Sequence, residues 1–77
     1  MSEFVDARGQ KCPLPVIRLA RAAKVLDPGD RVLVLADAPA ARHDIPAWAR
    51  LKGHVVTLSD EGAHTAYEIV IGDPTSG

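Results

Sequence analysis

The chain has 77 residues, of which 47% are hydrophobic and 25% are charged, and its formal net charge is −1. This length suits one small domain, and the near-neutral charge excludes the broad basic field that non-specific nucleic-acid binding requires. Because the chain contains a single cysteine, it cannot form an internal disulfide, which excludes a disulfide-stapled secreted module.

The sequence carries no signal that predicts secretion or a membrane span. Residues Met1 to Glu3 lack the basic segment and the apolar run of a signal peptide. No apolar stretch approaches the roughly 20 residues that cross a bilayer. We therefore expect a cytoplasmic protein with no membrane contact. We also expect one domain over residues 1–77, with residues 73–77 as a flexible tail.

The first predicted elements are a short strand at Phe4–Ala7 and a helix that follows Cys12. Proline is tolerated in a first helical turn, because the N–H groups there have no intrahelical partner to lose. Pro13 and Pro15 are therefore predicted as positions N1 and N3, with Cys12 as the extended N-cap residue. Cysteine caps helices poorly, which indicates that the sulfur is present for its chemistry.

The position of Cys12 predicts a reactive thiol. The helix dipole, the adjacent Lys11 and the nearby Arg8 would lower the pKa of Cys12 from about 8.5 into a range of about 3.5–7.5 and give a thiolate at neutral pH. The alternative is a small buried hydrophobic residue, the commonest role of a lone cysteine. The polar, glycine-containing approach to Cys12 favours the reactive thiol.

The first helix is predicted to end near Leu26, before a turn at residues 27–30. Its apolar residues recur at helical spacing and give one buried face. Arg18, Arg21 and Lys24 fall on the other flank, either as an ordinary solvated surface or as a docking stripe for an acidic partner. The predicted buried face consists of Val16, Leu19, Ala20, Ala23 and Leu26.

A second helix is predicted with Asp44 as its N-cap and Gly53 as its stop. Pro46 would then lie in the first turn, where proline is tolerated, and residues 40–43 would form a preceding turn. Trp48 is interpreted as a core anchor against the sheet rather than as a ligand platform.

Three further segments predict strands. The apolar run Arg31–Ala36 predicts a buried strand that is parallel to the first. Residues 54–59 and 66–71 predict an antiparallel hairpin around a turn at residues 60–62. The resulting order βαβαββ predicts an α/β two-layer sandwich, in which a four-stranded mixed sheet carries two helices on one face.

Other kinds of site have little support in the sequence. His43, His54 and His64 do not combine with Cys12 at any spacing that is typical of a metal site, so we expect none. A Cys12–His43 pair for acyl chemistry lacks an oxyanion element and a third orienting group. Phosphate-loop and dinucleotide-binding motifs are absent from the sequence.

Residues 6–15 read Asp-Ala-Arg-Gly-Gln-Lys-Cys-Pro-Leu-Pro. This run closely resembles the signature of the TusA/SirA sulfur-carrier family, Leu-Asp-x-x-Gly-x-x-Cys-Pro-x-Pro. The resemblance continues through residues 28–30, 44–48 and 53–54, and so covers nearly the whole chain. It implies a βαβαββ two-layer sandwich similar to the C-terminal domain of translation initiation factor three, which agrees with the order predicted above.

The resemblance also implies a function. Cys12 would accept sulfane sulfur as a persulfide from a cysteine desulfurase or a rhodanese and pass it to an acceptor protein, as a sulfurtransferase-type carrier rather than a small-substrate enzyme. No cofactor and no direct nucleic-acid contact are expected. The free N–H of Leu14, together with that of Val16, would receive the persulfide anion at the helix start. The other residues expected to support the site or bind partners are Arg8, Gly9, Lys11, Pro13, Leu14, Pro15, Arg18 and Asp44.

The sequence does not choose among the pathways of the family, and it leaves two other functional classes as alternatives. Known pathways of the family are tRNA wobble-uridine thiolation, molybdenum-cofactor biosynthesis and sulfur oxidation. The chain departs from the family pattern at Ala38, His43 and Ala49, in a segment that we expect to contact partners. The alternatives are a redox-sensing protein that uses Cys12, and an RNA-binding module, for which one Phe, one Tyr and one Trp give few stacking groups.

Overall fold

The computed structural model describes residues 2–72 and contains six elements in the order β1-α1-β2-α2-β3-β4. This order confirms the predicted fold class. The tail predicted at residues 73–77 lies outside the described residues. The elements are β1 Ser2–Asp6, α1 Leu14–Lys24, β2 Arg31–Ala36, α2 Ala41–Lys52, β3 Val55–Asp60 and β4 Thr65–Val70.

The four strands form one mixed sheet in the order β1-β2-β4-β3. β1 and β2 pair in parallel, because α1 carries the chain back to the end of the sheet at which β1 begins. β4 pairs antiparallel with both β2 and β3. The predicted parallel pair and the predicted hairpin are therefore confirmed, and β4 lies between β2 and β3.

The core lies between the sheet and the two helices. Alternate residues of β2 and β4 are buried on one face, and they pack against Leu19 of α1 and Ile45 of α2, which have no exposed surface. Burying a side chain of this size stabilises the fold by about 1.5–3 kcal/mol. The buried strand residues are Val32, Val34, Ala36, Thr65, Tyr67 and Ile69.

The start of α2 differs from the prediction. The helix begins at Ala41 with Ala40 as its N-cap, so the prediction of Asp44 as N-cap is wrong. The amide of Ala41 donates to the carbonyl of Ala38 at 3.0 Å and that of Asp44 to the carbonyl of Ala40 at 2.8 Å, so the chain is already turning before Asp44. Asp44 therefore lies in the first turn of a longer helix, and Pro46 lies inside it.

The end of α2 follows the prediction. Gly53 ends the helix with φ 79°, a left-handed conformation that glycine adopts without a Cβ clash. The amide of His54 donates back to the carbonyl of Ala49 at 2.7 Å. Because that amide belongs to the helix terminus, β3 begins at Val55, one residue later than predicted.

Trp48 lies at the margin of the core rather than inside it. Its side chain is half-buried and packs against the core cluster. Its ring contacts the ring of His54, with centroids 5.2 Å apart. Trp48 is therefore a packing residue, as predicted. The large side chains at the centre of the core are instead those of the fully buried Tyr67, Leu19 and Ile45.

Candidate functional site

The loop between β1 and α1 carries Cys12, and it is tied to the end of the sheet. The amide of Ala7 donates to the carbonyl of Leu35 at 2.8 Å, which extends the pairing of β1 beyond its last residue. Gly9 then reverses the chain with φ 80°. Its amide donates to both carboxylate oxygens of Asp37 at 3.0 Å. The connection between β2 and α2 therefore fixes the loop that leads to Cys12.

The two arginines predicted at the site hold this loop. The guanidinium of Arg8 binds both carboxylate oxygens of Asp6, at 2.9 and 2.8 Å, and lowers the pKa of Asp6 to about 2. Arg18 donates to the carbonyl of Asp6 at 2.5 Å and to Oε1 of Gln10 at 3.2 Å. Both arginines therefore connect the loop to β1 and α1, and neither is among the groups that shift the pKa of Cys12.

The helix start differs from the prediction. The Cys12–Pro13 peptide bond is cis, and α1 begins at Leu14 with Pro13 as its N-cap, so the prediction of Cys12 as N-cap is wrong. The amide of Leu14 donates to the carbonyl of Lys11 at 2.9 Å, because a turn at residues 11–14 precedes the helix. That amide is therefore not free, and the prediction that it receives a persulfide anion is also wrong.

Cys12 is a free thiol that is partly buried and packs against the hydrophobic core. Burial raises the pKa of this thiol, and a hydrogen bond to the carboxylate of Asp44 together with its negative charge raises that pKa further. The predicted low pKa is therefore wrong, since neither the local basic residues nor the helix start outweighs burial and Asp44. The resting thiol is protonated at neutral pH.

Asp44 comes from the first turn of α2, 32 positions along the chain from Cys12. The sequence placed it among the site residues by resemblance, and the structure brings it to the thiol. The side chain of Asp44 is half-buried, and its carboxylate acts on the Cys12 thiol from this first turn.

Tyr67 is a buried polar residue of the core that the sequence analysis did not single out. It lies on β4, has no exposed surface, and its hydroxyl has no hydrogen-bond partner among residues 2–72. Burial raises the pKa of Tyr67, and the negative charge of a Cys12 thiolate would add to that rise. The alternation of β4 predicts that Tyr67 faces the core, but no sequence signal indicates which group its hydroxyl approaches.

The remaining predicted residues divide between the surface and the core. Lys11, Pro13 and Leu14 are exposed, whereas Pro15 is fully buried and contributes to the core. Leu14 is 48% exposed, and Ile17, one turn further along α1, is 41% exposed. Ile17 was not among the predicted site residues, although its spacing of three from Leu14 indicates a shared helical face.

The departures from the family pattern do not share one surface. Ala49 is fully buried on α2, so its side chain is not available for contact with a partner in the folded chain. Ala38 is half-buried and packs against the core cluster. His43 is exposed and is therefore the departure that remains available for contact.

The described part of the chain holds no cluster of three or more His, Cys, Asp and Glu side chains that could bind a metal ion. His54 instead accepts a hydrogen bond at Nδ1 from the amide of Gly72 at 2.9 Å. His43 is exposed and is not among the groups that act on Cys12. Within residues 2–72, neither helix has the length and apolar character that crossing a bilayer requires.

Comparison with known proteins gives a consistent result. The family model described as "Sulfurtransferase TusA" matches residues 3–72. The crystal structure of a SirA-like protein from Desulfitobacterium hafniense is similar to this chain, with a TM-score of 0.80 and 32% sequence identity. That similarity covers 92% of this chain and 99% of the other. The chain therefore belongs to the TusA (SirA-like) family of sulfurtransferase-type sulfur carriers.

Proposed function

We propose that Cys12 accepts sulfane sulfur as a persulfide from a donor protein and relays it to the cysteine of an acceptor protein. The observation that carries this proposal is the position of the chain's one thiol at the β1–α1 junction, partly exposed and flanked by exposed apolar residues of α1. Membership of the TusA family supports it. The sulfur itself is covalently held cargo, and no separate cofactor takes part.

The loading step balances as an exchange at sulfur. The thiolate of Cys12 attacks the terminal sulfur of the donor's cysteine persulfide, a new S–S bond forms at Cys12, and the donor's S–S bond breaks. The donor cysteine leaves as a thiolate. Delivery repeats the exchange, with the acceptor's thiolate attacking the terminal sulfur and Cys12 leaving as a thiolate.

The raised pKa of Cys12 suits a carrier. A thiol of high pKa is a strong nucleophile once deprotonated, and it is a slow leaving group. Sulfur is therefore retained on Cys12 until an acceptor's active site assists its departure. The same property disfavours a redox sensor, because reaction with peroxide requires a large thiolate fraction at neutral pH.

The surface around Cys12 suits protein partners. Leu14 and Ile17 are exposed in the first turns of α1, which begins two residues after Cys12, and Lys11 precedes the thiol. Exposed apolar side chains bordered by a cation are typical of a protein-binding surface. We propose a cysteine desulfurase or a rhodanese as the donor, in the cytoplasm and without direct nucleic-acid contact. The acceptor would belong to tRNA thiolation, molybdenum-cofactor biosynthesis or sulfur oxidation.

Loading is tested by intact-mass spectrometry after incubation with a desulfurase and cysteine, or with a rhodanese and thiosulfate. The expected result is a gain of about 32 Da that reductant removes, as for one persulfide sulfur. Cys12→Ser is the matched control and gains nothing. If several donors fail while Cys12 still alkylates at high pH, the carrier function is wrong.

The pathway is tested by presenting the loaded protein to acceptors one at a time. Loss of mass from Cys12 with an equal gain on one acceptor identifies the route. Glutathionylation of Cys12 without any transfer would instead support the redox-sensing alternative. RNA affinity that is unchanged in Cys12→Ser would support the RNA-binding alternative.

A further inference from the structure

β3 is an edge strand whose outer side is unpaired. The strand order β1-β2-β4-β3 places it at the margin of the sheet, where it pairs with β4. Within the described residues 2–72, no backbone hydrogen bond forms on its other side. A row of unpaired amides and carbonyls is a template for a further strand, so folded proteins protect such edges with charges, prolines or bulges.

The two edges of the sheet differ in this protection. On β1, Glu3 pairs with the buried Val32, so it places a charge on the face that the helices cover. β3 has neither a charge nor a proline from Val55 to Ser59. Its register with β4 is unbroken, so no bulge turns the strand away from an approaching chain. β3 is therefore the unprotected edge.

The side chains of β3 on the helix-covered face are apolar and incompletely covered. Leu58 pairs with the buried Tyr67 and so points to this face, yet it is 44% exposed on the outermost strand. Val56 points the same way and is partly buried. Both side chains would lose exposed apolar surface if a further strand extended the sheet.

The two ends of β3 carry opposite charges. The last turn of α2, just before the strand, holds the cations Arg50 and Lys52. The strand ends at Asp60, and Glu61 follows. Trp48 and Lys52 line the cleft toward α1. Arg50 is roughly 200° from each of them around the helix, so it lies on the flank toward the β3 edge.

This charge pattern fits an antiparallel copy of the same strand. Arg50 and Glu61 make no ion pair with another described residue. An antiparallel copy brings its acidic end to the basic end of the first, and the reverse contact forms at the other end. A parallel copy would bring like charges together, which is destabilising.

We propose that β3 pairs antiparallel with β3 of a second copy, across a two-fold axis at Thr57, so that the two sheets join edge to edge. Val56 then lies opposite Leu58 of the second copy, twice by symmetry, and both helix layers stay on one side. A register centred on Leu58 would instead place the carboxylate of Asp60 opposite Val56, which is unfavourable. This inference goes beyond the carrier function and does not rest on it.

The first test is sedimentation equilibrium over a range of concentrations. One strand pair buries less than the roughly 1,200 Å² of a stable complex, so the dimer should be weak. The mass should rise from 8.2 kDa toward twice that value as the concentration approaches about 1 mM. Leu58→Lys should remain monomeric. Phe4→Lys is the matched control, because Phe4 is a 57% exposed residue on the opposite edge strand, and it should still dimerise.

The second test reverses the charges at the two ends of β3. Arg50→Glu and Glu61→Lys should each weaken dimerisation by about threefold, because each places like charges together. The combined variant should restore it, since every contact again joins opposite charges. A combined variant that associates no better than the single variants would overturn the antiparallel arrangement.

Isotope-filtered NMR tests the register directly. A mixture of differently labelled copies should show contacts between the methyl groups of Val56 in one copy and Leu58 in the other. A mass of 8.2 kDa at every concentration would overturn the proposal and leave the edge to an extended segment of another protein. Dimerisation that Phe4→Lys abolishes and Leu58→Lys retains would overturn it as well.

Discussion

The carboxylate of Asp44 lies at the thiol of Cys12 and, after burial, is the main cause that raises the pKa of that thiol. The two residues are 32 positions apart in sequence, Cys12 in the β1–α1 loop and Asp44 in the first turn of α2. Cys12 is therefore a protonated, partly buried thiol at rest, and its reactivity depends on what deprotonates it.

Removal of the Asp44 charge should make Cys12 more reactive at neutral pH. In Asp44→Asn the pKa of Cys12 should fall, and the alkylation rate at neutral pH should rise about threefold to tenfold. Burial is the larger cause, so the pKa should stay above its ordinary value. Asp27→Asn is the matched control, because Asp27 is exposed beyond the C-terminal end of α1 and does not act on the thiol. A slower or unchanged rate in Asp44→Asn would contradict the assigned cause.

A charge at the exposed face of α1 should weaken partner docking. Ile17→Glu should lower the kcat/KM for sulfur loading by about tenfold, equivalent to about 1.4 kcal/mol, because it places a carboxylate in an apolar contact. The melting temperature should change little, since Ile17 is 41% exposed. Val25→Glu, at the 72% exposed C-cap of α1, should load normally. Equal losses in the two variants would show that the contact lies elsewhere.

The sequence predicted the framework of the fold because each local signal agreed with the final packing. The apolar, β-branched run Arg31–Ala36 predicted the strand β2, and Gly53 ended α2 where the left-handed conformation required glycine. The parallel β1–β2 pair followed from the helix between the two strands. The position of the lone cysteine before Pro13 selected Cys12, and the family resemblance added Asp44 to the site.

The site chemistry was harder to predict, because it depends on contacts between distant segments. The amide of Leu14 closes a turn by donating to the carbonyl of Lys11, so α1 begins at Leu14 rather than directly after Cys12. The pKa of Cys12 follows from burial and from Asp44, neither of which local charge reveals. The sequence analysis assigned no role to Tyr67, and it did not indicate that the Tyr67 hydroxyl lacks a hydrogen-bond partner in the described residues.

A close backbone approach at Gly72 should make that position intolerant of a side chain. A Cβ there would overlap the carbonyl oxygen of Gly53, so Gly72→Ala should destabilise the fold by about 1–3 kcal/mol in urea denaturation. Gly62 has φ 92° with open space around it, and asparagine tolerates that conformation. Gly62→Asn should therefore cost much less. Similar losses in both variants would contradict the steric explanation.

His54 should make the stability of the fold depend on pH. Partial burial and the charge of Lys52 lower the pKa of His54, whose Nδ1 accepts the Gly72 amide. Because the unfolded chain then binds more protons, stability is fully present above about pH 6.5 and is lost as pH falls through the lower folded pKa. Thermal melts between pH 7.5 and 5.5 should show this loss. His54→Gln should reduce it, and the exposed His43→Gln should retain it.

The central claim is that Cys12 takes up sulfur and gives it away, and a heavy-sulfur chase tests it most directly. The chain is loaded from an isotopically labelled donor, separated from that donor, and mixed with an acceptor protein while intact masses are followed for both. The account predicts that the label leaves Cys12 and appears on the acceptor in equal amount, and that Cys12→Ser carries none. Label that never enters Cys12, or that reaches the acceptor equally well with Cys12→Ser, would contradict it.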